Sequence, residues 1–421
     1  MGDVEPLAKA RLRAPGGALA PFGHATFRAI WIANLSSNMG ATMQSVGAAW
    51  LMTDLTRSHQ MIALVQASTT IPIMLFGLFA GSIADNFDRR RVMLTSQFGM
   101  LAVSALLAVL TWLKLVTPWS LLAMTLLLGI GTSLNSPAWQ ASVRQQVPPE
   151  QLPQAIALNS ISFNLARTVG PALGGAIISI WNVGLAFAVN ALSRPPLIGV
   201  LLSWKPVATP PTRRPILPAI AVGLRFCAGN SPIRRVLLRG AAMGFGVAGY
   251  QALVPAVVRG PLRGTQIDYG LLLGLFGIGS IIAALFVSQA RRRFGTEAVI
   301  TTSVLAFVVA QTVLAGAHSL AQAAPATFIA GAGWVTGLTS INVVMQMRSP
   351  EEIIGRCLSI YQAITFGGMA IGSWVWGALA DWASLAFALH VASAFLLVTL
   401  IVLRIVAPMP SIPEMRDPRE P

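Results

Sequence analysis

The sequence predicts an all-α polytopic membrane protein with twelve transmembrane helices in two six-helix bundles. Three observations carry the prediction. The 421 residues are 55% hydrophobic and only 10% charged, with a mean hydropathy of +0.69. A soluble domain carries about 25% charged residues, so this chain has too few charges to clothe a soluble surface. Apolar stretches of spanning length, about 20 residues each, recur along the whole chain. Between them the cations alternate in density from one loop to the next.

In order, the first six spans are expected at 27–52, 60–84, 92–113, 118–143, 155–181 and 184–204. The sixth is interrupted by Arg194-Pro195-Pro196. Spans 7 to 12 are expected at 235–258, 269–290, 297–317, 320–347, 357–381 and 383–405. Loop 205–234 divides them six and six, which gives bundles at 27–204 and 235–405. Within that loop, Ile216 to Phe226 has helical spacing and suits a membrane surface. Residues 1–26 and 406–421, rich in Pro, Gly and charge, read as tails, and the N-terminal one does not resemble a cleavable signal.

The net charge is +15 from 29 cations. In a soluble protein that excess would suggest nucleic acid. Here the cations fall between apolar stretches rather than among stacking aromatics. With the N-terminus in the cytoplasm, outside loops hold only Arg57, Lys114, Arg259 and Arg263, and Arg167 and Arg194 lie inside spans. Every other cation falls in a cytoplasmic segment or within about one turn of a span's cytoplasmic end, as the positive-inside rule requires. An odd number of spans would reverse the bias midway. Both termini are thus expected in the cytoplasm. Cys227 and Cys357 fall on that reducing side, and the four histidines show no metal-ligand spacing.

The two halves resemble each other weakly. Span 2 ends in Gly81-Ser-Ile-Ala-Asp85-Asn-Phe-Asp88-Arg89-Arg90-Arg91, and span 8 ends in Arg291-Arg292-Arg293. Span 5 carries Gly170-Pro171-Ala-Leu-Gly174-Gly175, and span 11 carries Gly367-Gly368-Met-Ala-Ile-Gly372. Small residues four apart share a helix face and let backbones approach closely. Internal repeats of this kind typify secondary transporters, whose binding sites lie near mid-membrane.

The 6 + 6 layout, the Gly81–Arg91 loop and the Gly170–Gly175 motif together resemble the major facilitator superfamily. More narrowly, Trp50-Leu-Met-Thr-Asp54-Leu-Thr56 and Asn164-Leu-Ala-Arg167-Thr-Val-Gly170-Pro171 are similar to the branch of the enterobactin exporter and macrolide-efflux proteins. The resemblance implies a transporter of the bacterial cytoplasmic membrane. Its span-5 motif is associated with export, although Ala166 stands where a Gly is common. It further implies a cytoplasmic latch in which Gly81, Asp85, Asp88, Arg89 and Arg91 engage Arg356 at the start of span 11. A carboxylate there can accept from a helix N-terminus and from an Arg. The alternative is that these loop charges only set topology. In span 5, Gly170 and Pro171 remove a backbone donor and permit a kink, with Gly174 and Gly175 keeping the face small. Packing alone is the competing explanation.

Polar residues inside spans are expensive in lipid and point to a cavity. Spans 1, 4, 7 and 10 line the cavity in this superfamily. Here they carry Asn34 and Asn38, Asn135 and Trp139, Tyr250 and Gln251, and Asn342 and Gln346. Span 5 adds Asn164 and Arg167, and span 6 adds Arg194. For any single amide, a bond between helices is the competing explanation. Each Arg costs about 2.5–3.5 kcal/mol at a helix centre, and no Asp, Glu or His sits at a span centre to pair with it. An Arg fork suits carboxylate, phosphate or catecholate oxygens. Arg167 also matches the span-5 Arg of the branch it resembles, which implies the competing role of bonding carbonyls freed by Pro171. Exporters of this superfamily often carry an Arg in span 4 for proton coupling, but Leu126–Gly131 has none. Asp54 and Asp381, at outer span ends, are the remaining coupling candidates, and uniport or cargo-linked coupling is the alternative.

These features predict a secondary active exporter of a small amphipathic or anionic molecule, coupled to protons and monomeric. Its partners are the bilayer and the cargo, with no nucleic acid, metal or cofactor. A membrane-embedded enzyme would need a clustered nucleophile, base and acid, which the sequence does not offer. A transporter-like sensor or assembly partner would be expected to carry a signalling domain, and the two tails are short.

Overall fold

The computed structural model describes residues 17–205, 216–350 and 353–409, without the side chains of 78, 80–86, 216, 217 and 219. The described secondary structure is helical throughout. Among the described residues, nine helices are long and apolar enough to cross a bilayer. One of them, Gln266–Ala315, is 50 residues long and bends at Gly295, whose φ of 81° and ψ of 159° interrupt the helix. It therefore holds spans 8 and 9. Ala25–Leu55 and Leu152–Ile180, the polar spans 1 and 5, complete the twelve.

Span 2 is His59–Asn86, span 3 Arg89–Trp112 and span 4 Pro118–Ser142. Span 7 is Ser231–Arg259, span 10 Leu320–Arg348, span 11 Ile354–Trp382 and span 12 Leu385–Val406. All lie within about one helical turn of the sequence-based bounds. Local chemistry explains their ends. Asp88 caps span 3 by accepting from the Arg90 amide at 2.9 Å, and Thr117 with Ser120 forms a capping box on span 4. Asn230 and Ser384 cap spans 7 and 12. Lys114, at φ 57°, closes span 3 in the left-handed region.

Span 6 is two helices, Val183–Leu192 and Arg194–Ser203. Pro195 and Pro196 have no N–H to offer the carbonyls of the preceding turn, so the helix stops at Ser193 and restarts. The predicted surface segment is the helix Ile216–Gly229.

The chain clusters into two compact units, within Met1–Arg57, Phe79–Arg214 and Arg263–Gly277, and within Ser58–Leu78, Pro215–Leu262 and Ile278–Pro421. The divide runs through spans 2 and 8. In the first unit, Ile30, Ala33, Met93, Ala138, Leu197 and Leu201 form a buried cluster joining spans 1, 3, 4 and 6. A Cβ on Gly40 would strike Ser193 and Asn190, so span 1 lies against the break in span 6. In the second unit, span 7 packs on span 11. A Cβ on Gly368 would lie 2.6 Å from the Ala241 carbonyl oxygen, and one on Gly372 would meet Phe245 and Ala248. Trp376 Nε1 donates to the Phe245 carbonyl at 2.8 Å.

Candidate functional site

Span 5 positions the export-type motif. Gly170 and Gly174 both face span 1. A Cβ on Gly170 would collide with Thr42, and one on Gly174 would lie 2.9 Å from Met43 Cα. Thr42 Oγ1 in turn donates to the Ala166 carbonyl at 3.1 Å. Gly175 and the backbone of Pro171 and Ala172 face the first turns of Gln266–Ala315. Built Cβ atoms on Gly175 and Gly270 would lie 3.1 Å from the other residue's Cα. The motif is a two-sided packing surface, with span 1 on one side and span 8 on the other. Pro171 lies inside Leu152–Ile180 without ending it.

Arg167 lies one turn before Pro171 and is half-buried. Its guanidinium stands over the Phe276 ring at 5.5 Å. Among the described residues it makes no ion pair or hydrogen bond. A guanidinium over an aromatic face keeps its donors free for an incoming acceptor. Asn164, also on span 5, donates to the Ser160 carbonyl of its own helix at 2.8 Å.

Arg194 is 4% exposed and sits at the restart of span 6. Its Nη1 donates to Gln97 Oε1 at 3.0 Å and its Nη2 to Asn190 Oδ1 at 3.3 Å. Asn190 Nδ2 donates to Gln44 Oε1 and, at 3.0 Å, to Ser104 Oγ. Gln97 Nε2 reaches Asn135 Oδ1 at 3.4 Å. The cation is thus solvated by neutral dipoles from spans 3 and 6, and the network continues to spans 1 and 4. No carboxylate from the described residues enters it. Nothing along the chain singles out Gln44, Gln97 or Ser104, because a buried amide or hydroxyl reads as one more polar residue until its partner is known.

The other cavity candidates fall out as follows. Asn34 is buried and Asn38 half-buried on span 1. Trp139 packs against the cluster of Ile30 and Met93. Tyr250 is 2% exposed and meets Phe307 edge-on at 5.8 Å. Gln251 keeps a buried amide nitrogen without a partner among the described residues. Gln346 Nε2 donates to Asn342 Oδ1, four residues earlier, at 2.5 Å.

Of the expected latch, Gly81 lies within the span-2 helix and the Asp85 side chain lies outside the described residues. Asp88 caps span 3 and stands 3.9 Å from Arg91. Arg89 donates to the Ala141 carbonyl at 3.2 Å, which ties the loop to span 4. Arg356 is half-buried beside Gly223 of the helix Ile216–Gly229. Of the coupling candidates, Asp54 is exposed. Asp381 accepts from Ser58 Oγ and from the His59 and Gln60 amides. The partner His59 was not foreseen, because its spacing from Asp381 in sequence carries no signal.

The chain matches the transmembrane secretion effector family over residues 16–420. It is 28% identical over 380 residues to the enterobactin exporter EntS of Salmonella typhimurium, covering 85% of this chain and 86% of that one. It is 26% identical over 407 residues to the multidrug efflux pump Tap of Mycolicibacterium fortuitum, covering 92% and 96%. Among solved structures it resembles the nucleoside transporter NupG, with a TM-score of 0.70 at 13% identity, over 90% of this chain and 98% of that one. The relatives are transporters rather than enzymes. With its span-5 motif, its paired small-residue faces and a family match along almost its whole length, the chain belongs to the transmembrane secretion effectors, membrane transporters of the major facilitator superfamily.

Proposed function

We propose that this protein exports a small amphipathic or anionic molecule, of the siderophore or drug class, by alternating access. One observation carries the cargo chemistry. Arg167 lies at mid-span beside the Gly170-Pro171 motif, stacked on Phe276 and without a carboxylate among the described residues. A cation kept there at a cost of about 2.5–3.5 kcal/mol fits a cargo that brings its own oxygens. The likeness to the enterobactin exporter and to the Tap efflux pump supports the same class.

In this reading the six-helix bundles 27–204 and 235–405 rock about a central cavity. Asn34, Asn38, Asn135, Trp139, Asn164, Tyr250, Gln251, Asn342 and Gln346 line it. Arg167 handles cargo, and Arg194 braces the cavity wall through Gln97 and Asn190. Asp85, Asp88, Arg89, Arg91 and Arg356 close the cytoplasmic side. The protein works as a monomer in the bacterial cytoplasmic membrane, both termini inside, driven by protons and without nucleic acid.

The test is deletion and overexpression, followed by comparison of exported metabolites and drug tolerance. The cargo so found is then offered to purified protein in liposomes. Cargo moved unchanged across the bilayer supports the reading. No movement, with correctly inserted protein and an imposed proton gradient, overturns it.

A further inference from the structure

A helix leaves its first amides without intrahelical partners, and span 2 satisfies those of His59, Gln60 and Met61 with side chains. Ser58 Oγ accepts from Met61 N at 3.2 Å, while the Ser58 carbonyl takes the first intrahelical bond, from Ile62 N at 3.2 Å. The other two amides, His59 N and Gln60 N, donate to the Asp381 carboxylate at 2.6 and 3.1 Å. Ser58 Oγ donates to the same carboxylate at 2.6 Å, and His59 Nδ1 lies 3.0 Å from it. Asp381 is in the last turn of span 11, more than 300 residues away. One carboxylate therefore completes the N-terminus of a helix at the far end of the sequence.

The helices touch closely along this seam. A Cβ on Gly377 would lie 2.7 Å from Gln60 Cα and 2.8 Å from Ala63 Cβ. A Cβ on Gly367 would lie 2.8 Å from Met74 Sδ. The glycine seam is apolar and gives shape. The carboxylate gives direction, because it sits where the helix dipole is positive. His59 and Asp381 are about a third exposed, at 30% and 31% of their side-chain surface. Water can therefore replace each bond when the helices part, which makes the contact reversible rather than locked. Among the described residues, His59 is the one ionisable side chain within ion-pair distance of Asp381.

We propose that Asp381, through Ser58, His59 and Gln60, latches spans 2 and 11 together at their extracytoplasmic ends, and that release of this latch precedes opening of the cavity to the outside. The inference rests on the alternating-access reading and the orientation given above. Asp381 is a positioning residue in this scheme. It holds a helix end and does not touch cargo.

The test reads the gate directly rather than through transport. In a background carrying Cys227→Ala and Cys357→Ala, Ser45→Cys on the polar face of span 1 is labelled in intact cells with a membrane-impermeant maleimide. Asp381→Ala is expected to raise the labelling rate about tenfold, the scale of a lost helix cap. Ser58→Ala and His59→Ala, which leave the carboxylate in place, are expected to raise it by less. Total thiol after solubilisation reports that each variant is inserted. Labelling at the parent rate in inserted Asp381→Ala protein overturns the latch. Should that variant fail to insert, the Ser58→Ala and His59→Ala pair decides, and parent-rate labelling there overturns it equally. Failure of the export reading would show separately, as parent Ser45→Cys protein whose labelling still responds to Asp381→Ala while wild-type protein moves no cargo in liposomes.

Discussion

Arg239 and Glu297 form an ion pair at 2.8 Å that gathers three span ends of one unit. Arg239 Nε and Nη2 also donate to the carbonyls of Ala407 and Leu403 at 2.9 and 3.0 Å, where span 12 ends. Glu297 Oε2 accepts from the Met409 amide at 2.9 Å. The guanidinium answers the last carbonyls of one helix, and the carboxylate answers the chain just beyond it. Spans 7, 9 and 12 are thereby tied at one point.

Removing one member leaves the other without its countercharge. Glu297→Ala strands a guanidinium that is 4% exposed on its side chain. We expect a loss of about 1–3 kcal/mol, below the fully buried case because Glu297 is partly solvated. Thermal unfolding of the detergent-solubilised protein measures it. The Arg239→Met, Glu297→Gln double variant should lose less than the two single losses added together. Strict additivity would show that the pair is not a unit.

Substitutions on the span-5 face should act through packing. Gly174→Leu pushes a side chain into the Met43 backbone, where even a Cβ would stand at 2.9 Å. Backbone cannot yield as a flexible side chain can, so a destabilisation of about 1–3 kcal/mol is expected. The same change at Gly77, whose Cβ would meet nothing within 4 Å, should be tolerated. Equal melting temperatures for the two variants would contradict this account.

The two intramembrane arginines should separate by phenotype. Arg167→Ala is expected to raise KM for an anionic cargo about tenfold, with little change in melting temperature. Arg194→Ala, which strips partners from Gln97 and Asn190, should lower the melting temperature and leave the KM of the surviving protein near wild type. Liposome uptake kinetics and thermal scans on the same preparations check both.

Asp85→Asn tests the cytoplasmic closure. The protein should insert normally and turn over about tenfold or more slowly, because a neutral amide binds a helix N-terminus and an Arg more weakly than a carboxylate does. Wild-type turnover in inserted Asp85→Asn protein excludes the closure role.

Cys227 offers a chemical check on the helix Ile216–Gly229. Its thiol is buried at 2% exposure, and burial, with the adjacent Cys357 thiol, pushes its pKa up to about 12 from 9.0. The thiolate population at neutral pH should then be far below that of an ordinary cysteine. Maleimide should label Cys227 in the folded protein only after denaturation. Rapid labelling under native conditions would place the helix Ile216–Gly229 away from span 11.

The spans, their limits and the break in span 6 were legible along the chain. Each follows from local properties: apolar run length, capping residues, and the donor missing from Pro195 and Pro196. The sequence also pointed to the Gly170–Gly175 face, since residues four apart share a helix side whatever lies opposite. What the charged and polar groups bind is set by contacts between distant parts of the fold. Asp381 looked like a stray acid at a span end until it met Ser58 and His59. Arg239 looked like one more topology signal until it met Glu297. Arg194 stood unpaired by every charge count, because its solvation comes from Gln97 and Asn190. Hydropathy is summed along the chain and can be read there. A hydrogen bond depends on two groups arriving within about 3 Å, and no pattern along the chain encodes which distant partner will be there.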